Sequence, residues 1–165
     1  MAHYYFDANA LIKYSTLQDY KSESGIDEIR QLTSHKDNRI YYSPLTLLEC
    51  WRVFFASYRQ GLFGKNRRKA NKTLQIIIER LMTDLQSPPF VKLDAEMNEN
   101  IIGQAHRLIE RHGSSRNVGS IDMLHIALVK CTAIEMLTMV SSDGVVKNVC
   151  ISENINLFDP EKSHN

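Results

Sequence analysis

The chain has 165 residues, 43% of them apolar, enough to enclose one core without disulfides or a structural metal, so one domain is expected. Its 20 Lys and Arg nearly cancel its 19 Asp and Glu, which excludes the globally basic coat of many nucleic-acid binders and leaves any basic surface to be local. Three cysteines, Cys50, Cys131 and Cys150, lack CxxC spacing and sit among apolar neighbours, as reduced core thiols of a cytoplasmic protein do. The first residues form no cationic leader, and Glu49 and Arg52 interrupt the most apolar segment, so neither a signal peptide nor a membrane span is expected.

Residues 3–6 are short and aromatic and end at Asp7, which reads as a first strand followed by a helical turn over 8–14. Ile26, Ile29 and Leu32 recur at helical spacing, and residues 39–42 are β-prone. Ser43 and Pro44 then suit the N-cap and first position of a helix over 45–58 that is apolar nearly all round, as a buried helix is. A helix over 71–85 stops before Pro88 and Pro89, and residues 90–93 form a strand. Asp94 is expected to cap the next helix, whose Met97, Ile101, Ala105 and Leu108 share a face and whose end is marked by Gly113. Ser120 is expected to cap a helix running to about Lys130. Residues 136–140 then read as a strand ending near Asp143, and 155–158 as a last strand before Asp159 and Pro160. No repeat or low-complexity tract is present. Short strands alternating with helices indicate the α/β class, a three-layer sandwich around a central parallel sheet of about four or five strands.

Ligands bind such sheets at the carboxyl ends of the strands. Asp7 and Asp143 both follow predicted strands, although a lone Asp there is more often a turn or cap residue. Glu49 lies in the apolar helix, where a carboxylate needs a partner; Arg52, one turn on, offers an ion pair as the plain explanation. Asp122 falls in the first turn of its helix, where the dipole alone would favour an acid. Together the four are candidate catalytic and metal-ligating residues. Carboxylates gathered at one crevice raise one another's pKa unless a cation neutralises them, and all-oxygen donors select Mg²⁺ or Mn²⁺ over zinc. Phosphodiester hydrolysis is the chemistry such a site supports best. Asn9 and Ser141 are candidates to orient these ligands, whereas His125 is read as a hydrogen-bonded structural residue.

The residues that carry these acids resemble the motifs of the PIN-domain family. Tyr5-Phe6-Asp7-Ala8-Asn9 is similar to its opening motif, and Ser43-Pro44 with the helix bearing Glu49 to its second. Asp122-Met123-Leu124-His125-Ile126-Ala127 resembles the third, and Ser141-Ser142-Asp143 the fourth. The likeness spans roughly residues 3–160, implying one nuclease domain over 1–160 with a polar tail at 161–165. It also implies a Mg²⁺- or Mn²⁺-dependent endoribonuclease most like VapC-type toxins, with an RNA substrate and an antitoxin as partners; a homodimer is a further candidate assembly.

The stretch from Arg59 to Lys72 is longer and more basic than a minimal member of that family needs. No acid occurs between Cys50 and Ile78, while Arg59, Lys65, Arg67, Arg68, Lys69 and Lys72 supply cations that suit an RNA backbone, or equally a solvated surface. Gly61 and Gly64 suggest a loop there. The competing readings are a non-catalytic PIN-like RNA-binding or scaffold protein and a Mg²⁺-dependent phosphatase, for which the Asp-x-Asp-x-Thr signature is missing after the first strand.

Overall fold

The structure, a computed structural model, describes residues 1–16, 24–93 and 97–162. In chain order the elements are β1 (Ala2–Phe6), α1 (Ala8–Thr16), α2 (Ile26–Ser34), β2 (Asn38–Tyr42), α3 (Pro44–Arg59) and α4 (Arg67–Asp84). Then come β3 (Phe90–Lys92), α5 (Glu99–His112), α6 (Ser120–Cys131), β4 (Thr138–Val140), α7 (Gly144–Ser152) and β5 (Leu157–Phe158). The strands form one five-stranded, all-parallel sheet in the order β3-β2-β1-β4-β5. The chain steps outward on one side of β1, then returns to lay β4 and β5 on the other. Strand order therefore reverses between β1 and β4, where Phe6 lies in register with Val140, and a crevice opens at the carboxyl ends.

Because β1 is central, its side chains alternate between two cores. Tyr5 packs with Leu108, Met123, Ile126, Met139 and Val149 beneath α5, α6 and α7. Phe6 packs with Leu11, Ile29, Ile40, Leu74 and Val140 beneath α1, α2 and α4. Helix α3 serves both, lending Leu45 to the first core and Cys50 and Phe54 to the second. This is the three-layer sandwich the alternation of elements predicts. Glu153 at the end of α7 ties that helix to α5 and α6 through Arg111 at 2.5 Å, His112 at 2.8 Å and Lys130. Among the described residues no helix is long and apolar enough to cross a membrane.

Helix α3 starts where expected. Ser43 Oγ accepts the Thr46 N–H at 3.2 Å, and Thr46 Oγ1 accepts the Ser43 N–H at 3.2 Å, a reciprocal cap with Pro44 in the first turn. It is not buried all round, however, since Leu48 is 65% and Phe55 44% exposed. Other boundaries differ for local reasons. Helix α4 begins at Arg67, not 71, because the Asn66 side chain accepts the Lys69 N–H at 3.1 Å. The basic stretch is thus the end of a helix, a short loop and the first two turns of another. Asp94 lies outside the described residues; Asn98 caps α5 through the Ile101 N–H at 3.1 Å, and Met97 sits before the helix, 42% exposed. Gly119, not Ser120, is the N-cap of α6. Strand β4 begins only at Thr138, because Met136 takes a left-handed turn at φ 55°. The last strand likewise starts at Leu157 rather than 155.

Leu108 of α5 is fully buried in the core that α5 and α6 share. Leu108→Ala should cost about 2–5 kcal/mol of folding stability. Urea denaturation measures it, and a loss below about 1 kcal/mol would show that α5 does not seal that core.

Candidate active site

Asp7, Glu49, Asp122 and Asp143 line one crevice of about 200 Å³, together with Asn9, Arg52, Val53 and His125. Each acid is aimed by its local structure. Asp7 follows β1 and opens α1, its Oδ1 accepting the Ala10 N–H at 2.8 Å. Asp143 caps α7, its Oδ1 accepting the Val145 and Val146 N–H groups at 2.8 and 2.9 Å. Ser141, fully buried between them, bonds to the Asp7 carboxyl and accepts the Asp143 N–H at 3.1 Å. Asp122 folds back on the Gly119 N–H, and a β-carbon at Gly119 would sit 2.5 Å from its Oδ2. Glu49 reaches in from the middle of α3, with its Oε2 2.8 Å from His125 Nε2.

The Glu49–Arg52 ion pair, the plain alternative, does not appear among the described residues, where Glu49 pairs with His125. Behind it runs a buried chain, in which His125 Nδ1 lies 2.7 Å from the Tyr5 hydroxyl and that hydroxyl lies 2.8 Å from Ser43 Oγ. An ionised Glu49 can only accept, so Nε2 carries a hydrogen; in the neutral ring Nδ1 then accepts from Tyr5. His125 is therefore structural, as its apolar helix suggests, and also lines the crevice, as its spacing one helical turn after Asp122 allows. Tyr5 was overlooked, since a strand aromatic reads as core.

Burial pushes the Asp7 carboxyl up to about 6, with the charge of Glu49 adding to it and the bonds from Ser141 and Ala10 and the charge of His125 working against it. Asp122 is raised too, by burial and then by Asp143 and Glu49. The same field reaches the Cys50 thiol, raised by its burial and by Asp7 and Glu49. Arg52 and His125 are the only crevice residues able to carry positive charge, so acids outnumber them. Among the described residues no three side chains close into a ready-made metal cage. What the crevice offers is an open array of carboxylate oxygens, the donor chemistry of a hard divalent ion that keeps most of its water. Asn9 is exposed at its rim. Arg59, Lys65, Arg67, Arg68, Lys69 and Lys72 are all exposed, and none of them lines it.

An all-parallel sheet covered on both faces, with acids gathered at the reversal of strand order, is the PIN-like α/β sandwich. The chain has the fold of VapC toxins in particular. It resembles VapBC of Salmonella typhimurium bound to DNA, at 17% identity and a TM-score of 0.58, covering 97% of this chain and 99% of that one. It also resembles VapBC2 of Rickettsia felis bound to a promoter DNA fragment, at 14% identity and a TM-score of 0.57, covering 94% and 97%. VapC20 of Mycobacterium tuberculosis, described as a Sarcin-Ricin loop cleaving toxin, is similar at 16% identity and a TM-score of 0.57, covering 88% and 93%. No family model matches the sequence, and no curated protein does.

With its folded pKa near 6, above the ordinary 3.8, Asp7 binds a proton more tightly in the folded than in the unfolded chain. Its ionisation therefore weakens the fold, and its contribution to stability should rise as pH falls from about 7 toward about 4. In chelator, Asp7→Asn should be more stable than the parent at pH 7.5, by on the order of 2 kcal/mol, and should gain less on acidification. Urea midpoints at pH 7.5 and 5 test this; equal pH responses would show that Asp7 is not the buried, strained acid.

Proposed function

We propose that the crevice hydrolyses RNA phosphodiester bonds with the help of Mg²⁺ or Mn²⁺, and that the chain is a VapC-like toxin held silent by an antitoxin. The observation that carries this reading is the convergence of Asp7, Glu49, Asp122 and Asp143, from four separate elements, on one cation-poor crevice. A fold stores such mutual repulsion for a reason. The likeness to a toxin described as cleaving the Sarcin-Ricin loop, and to VapBC proteins, supports the substrate and the partner.

The four carboxylates would hold the ion, which when bound activates water and offsets charge on the phosphate. Hydrolysis there would join a water's oxygen to phosphorus, break one P–O ester bond and pass a proton from that water to the departing oxygen. The chain's own part is positioning. Ser141 fixes Asp7 and Asp143 relative to each other, Gly119 leaves room for the Asp122 carboxylate, and His125 holds Glu49. With Asp7 raised to about 6, it is ionised and able to hold a cation at neutral pH but not in acid.

Binding of the rest of the RNA falls to the basic stretch. Arg52 and Val53 line the crevice, and Arg59 lies on the same face of α3 two turns beyond Arg52, so one helix leads from the acids to the loop at 60–66. Arg67, Arg68 and Lys69 then crowd the first turn of α4, where the helix dipole opposes them and no acid relieves them. Phosphates would relieve that arrangement. Exposed Leu48 and Phe55 flank Arg52 on α3 and suit cover by a protein partner, an antitoxin or a second copy.

Asp143→Asn should abolish Mg²⁺-dependent cleavage while leaving RNA binding intact. Charge reversal at Arg67, Arg68 and Lys69 should instead weaken binding and flatten its salt dependence, with cleavage surviving at saturating RNA. Mn²⁺ should raise the melting temperature of the parent more than that of Asp7→Asn. If RNA is bound but never cut with either ion, the scaffold reading replaces this one.

Gly119→Ala offers a separate check. At φ −75° the backbone accepts Ala, yet the new β-carbon must displace the Asp122 carboxylate. Turnover should fall about 10–100-fold, with the urea midpoint nearly unchanged. Full activity in that variant would remove Asp122 from the set.

A further inference from the structure

For packing alone a Phe would serve at position 5, since the Tyr5 ring lies among Met123, Ile126 and Met139 in the core. The hydroxyl is what a Phe would lack. Ser43 Oγ, Thr46 Oγ1 and His125 Nδ1 converge on it at 2.8, 3.3 and 2.7 Å, from the cap of α3, the first turn of α3 and the middle of α6. Tyr5, Ser43, Thr46 and His125 are each 1% exposed or less, so water is no ready substitute for these bonds.

Counting hydrogens gives the chain of bonds a direction. Thr46 Oγ1 accepts the Ser43 N–H and gives its own hydrogen to the Phe6 carbonyl at 3.3 Å. Ser43 Oγ accepts the Thr46 N–H and is left with a hydrogen for the Tyr5 oxygen. Tyr5 then donates to His125 Nδ1, and the ring hydrogen on Nε2 goes to Glu49 Oε2 at 2.8 Å. Run the other way, Nδ1 would donate to Tyr5 and a bare Nε2 would face the Glu49 carboxylate, two acceptors 2.8 Å apart. The chain therefore leaves the N-cap of α3, passes through β1 and α6, and returns to the same helix at Glu49. A ring bonded at both nitrogens is fixed in tautomer and in rotation. Bonded at Nε2 alone it can turn, and a buried Nδ1 without a donor favours turning. Glu49 would follow the ring.

We propose that Tyr5 is a positioning residue of the crevice, whose hydroxyl, by donating to Nδ1, fixes His125 in the state that holds the Glu49 carboxylate through Nε2–H. Tyr5 touches neither substrate nor ion and acts through His125. Its effect on cation binding and turnover rests on the reading of the crevice as a metal-dependent nuclease; the state of the ring does not.

In the metal-free parent, nitrogen NMR of His125 should show the hydrogen on Nε2, slow to exchange with water, and Nδ1 as a hydrogen-bonded acceptor. In Tyr5→Phe that hydrogen should exchange about tenfold faster, and the Glu49 carboxyl carbon resonance should move. The same variant should bind Mn²⁺ about tenfold more weakly and turn RNA over about tenfold more slowly, with KM for RNA unchanged. Leu108→Ala weakens the fold without removing any bond of the chain, and should leave Mn²⁺ affinity unmoved. In a His125→Leu background, where Glu49 is already released, Tyr5→Phe should cost no further Mn²⁺ affinity.

A hydrogen on Nδ1 in the parent overturns the inference. So does Mn²⁺ affinity in Tyr5→Phe equal to the parent's, or an equal further loss in the His125→Leu background. If the parent neither binds Mn²⁺ nor cuts RNA, the nuclease reading falls, and the resonances recorded without metal decide. A Glu49 carboxyl resonance that moves in Tyr5→Phe then supports the positioning role, and one that stays overturns it.

Discussion

A strand paired on both sides and covered on both faces offers no place for a charge until it ends, and β1 ends one residue before Asp7. That carboxylate is 5% exposed, and its neighbours divide into those that tolerate its charge and those that oppose it. Ser141, the Ala10 N–H and His125 favour the ionised form; burial and Glu49 resist it. The balance extends through Tyr5 of the same strand, whose hydroxyl joins His125 to the cap of α3. Strand, helix cap and acid are therefore one connected unit. Burial sets the energetic scale of the crevice, and hydrogen bonding sets its geometry.

Much of this was legible because the elements announce themselves through period and caps. Ser43 with Pro44 marked the start of α3, and the aromatic run before Asp7 marked β1. The four acids were found through their order along alternating strands and helices, since each alone has an ordinary explanation. Asp7 and Asp143 do cap helices, and Asp122 does sit at a helix start. Those plain explanations are correct and describe how the acids are aimed.

What sequence reasoning missed depended on tertiary contact or on backbone torsion. Glu49 chooses His125, 76 residues away, over Arg52 one turn along its own helix. Nothing in local spacing favours the distant partner; the packing of α3 against α6 does. The cap of α6 fell to Gly119 because the Asp122 carboxylate occupies the space a side chain would need. Asn66 drew α4 four residues toward the loop, turning expected loop cations into a helix start that their charge disfavours. Where local preference is overridden in this way, function is the usual beneficiary.

The acids are also far apart in time. A ribosome delivers Asp7 long before Asp143, and β4, which carries Asp143 into place, pairs with β5 only after Leu157 and Phe158 emerge. The sheet grows from β1 outward to β3 before the chain returns to its other side. A chain interrupted after β3 can pair three strands and still hold only Asp7 and Glu49. The crevice thus waits for both sides of the sheet, and whatever it does to nearby ligands is withheld until then.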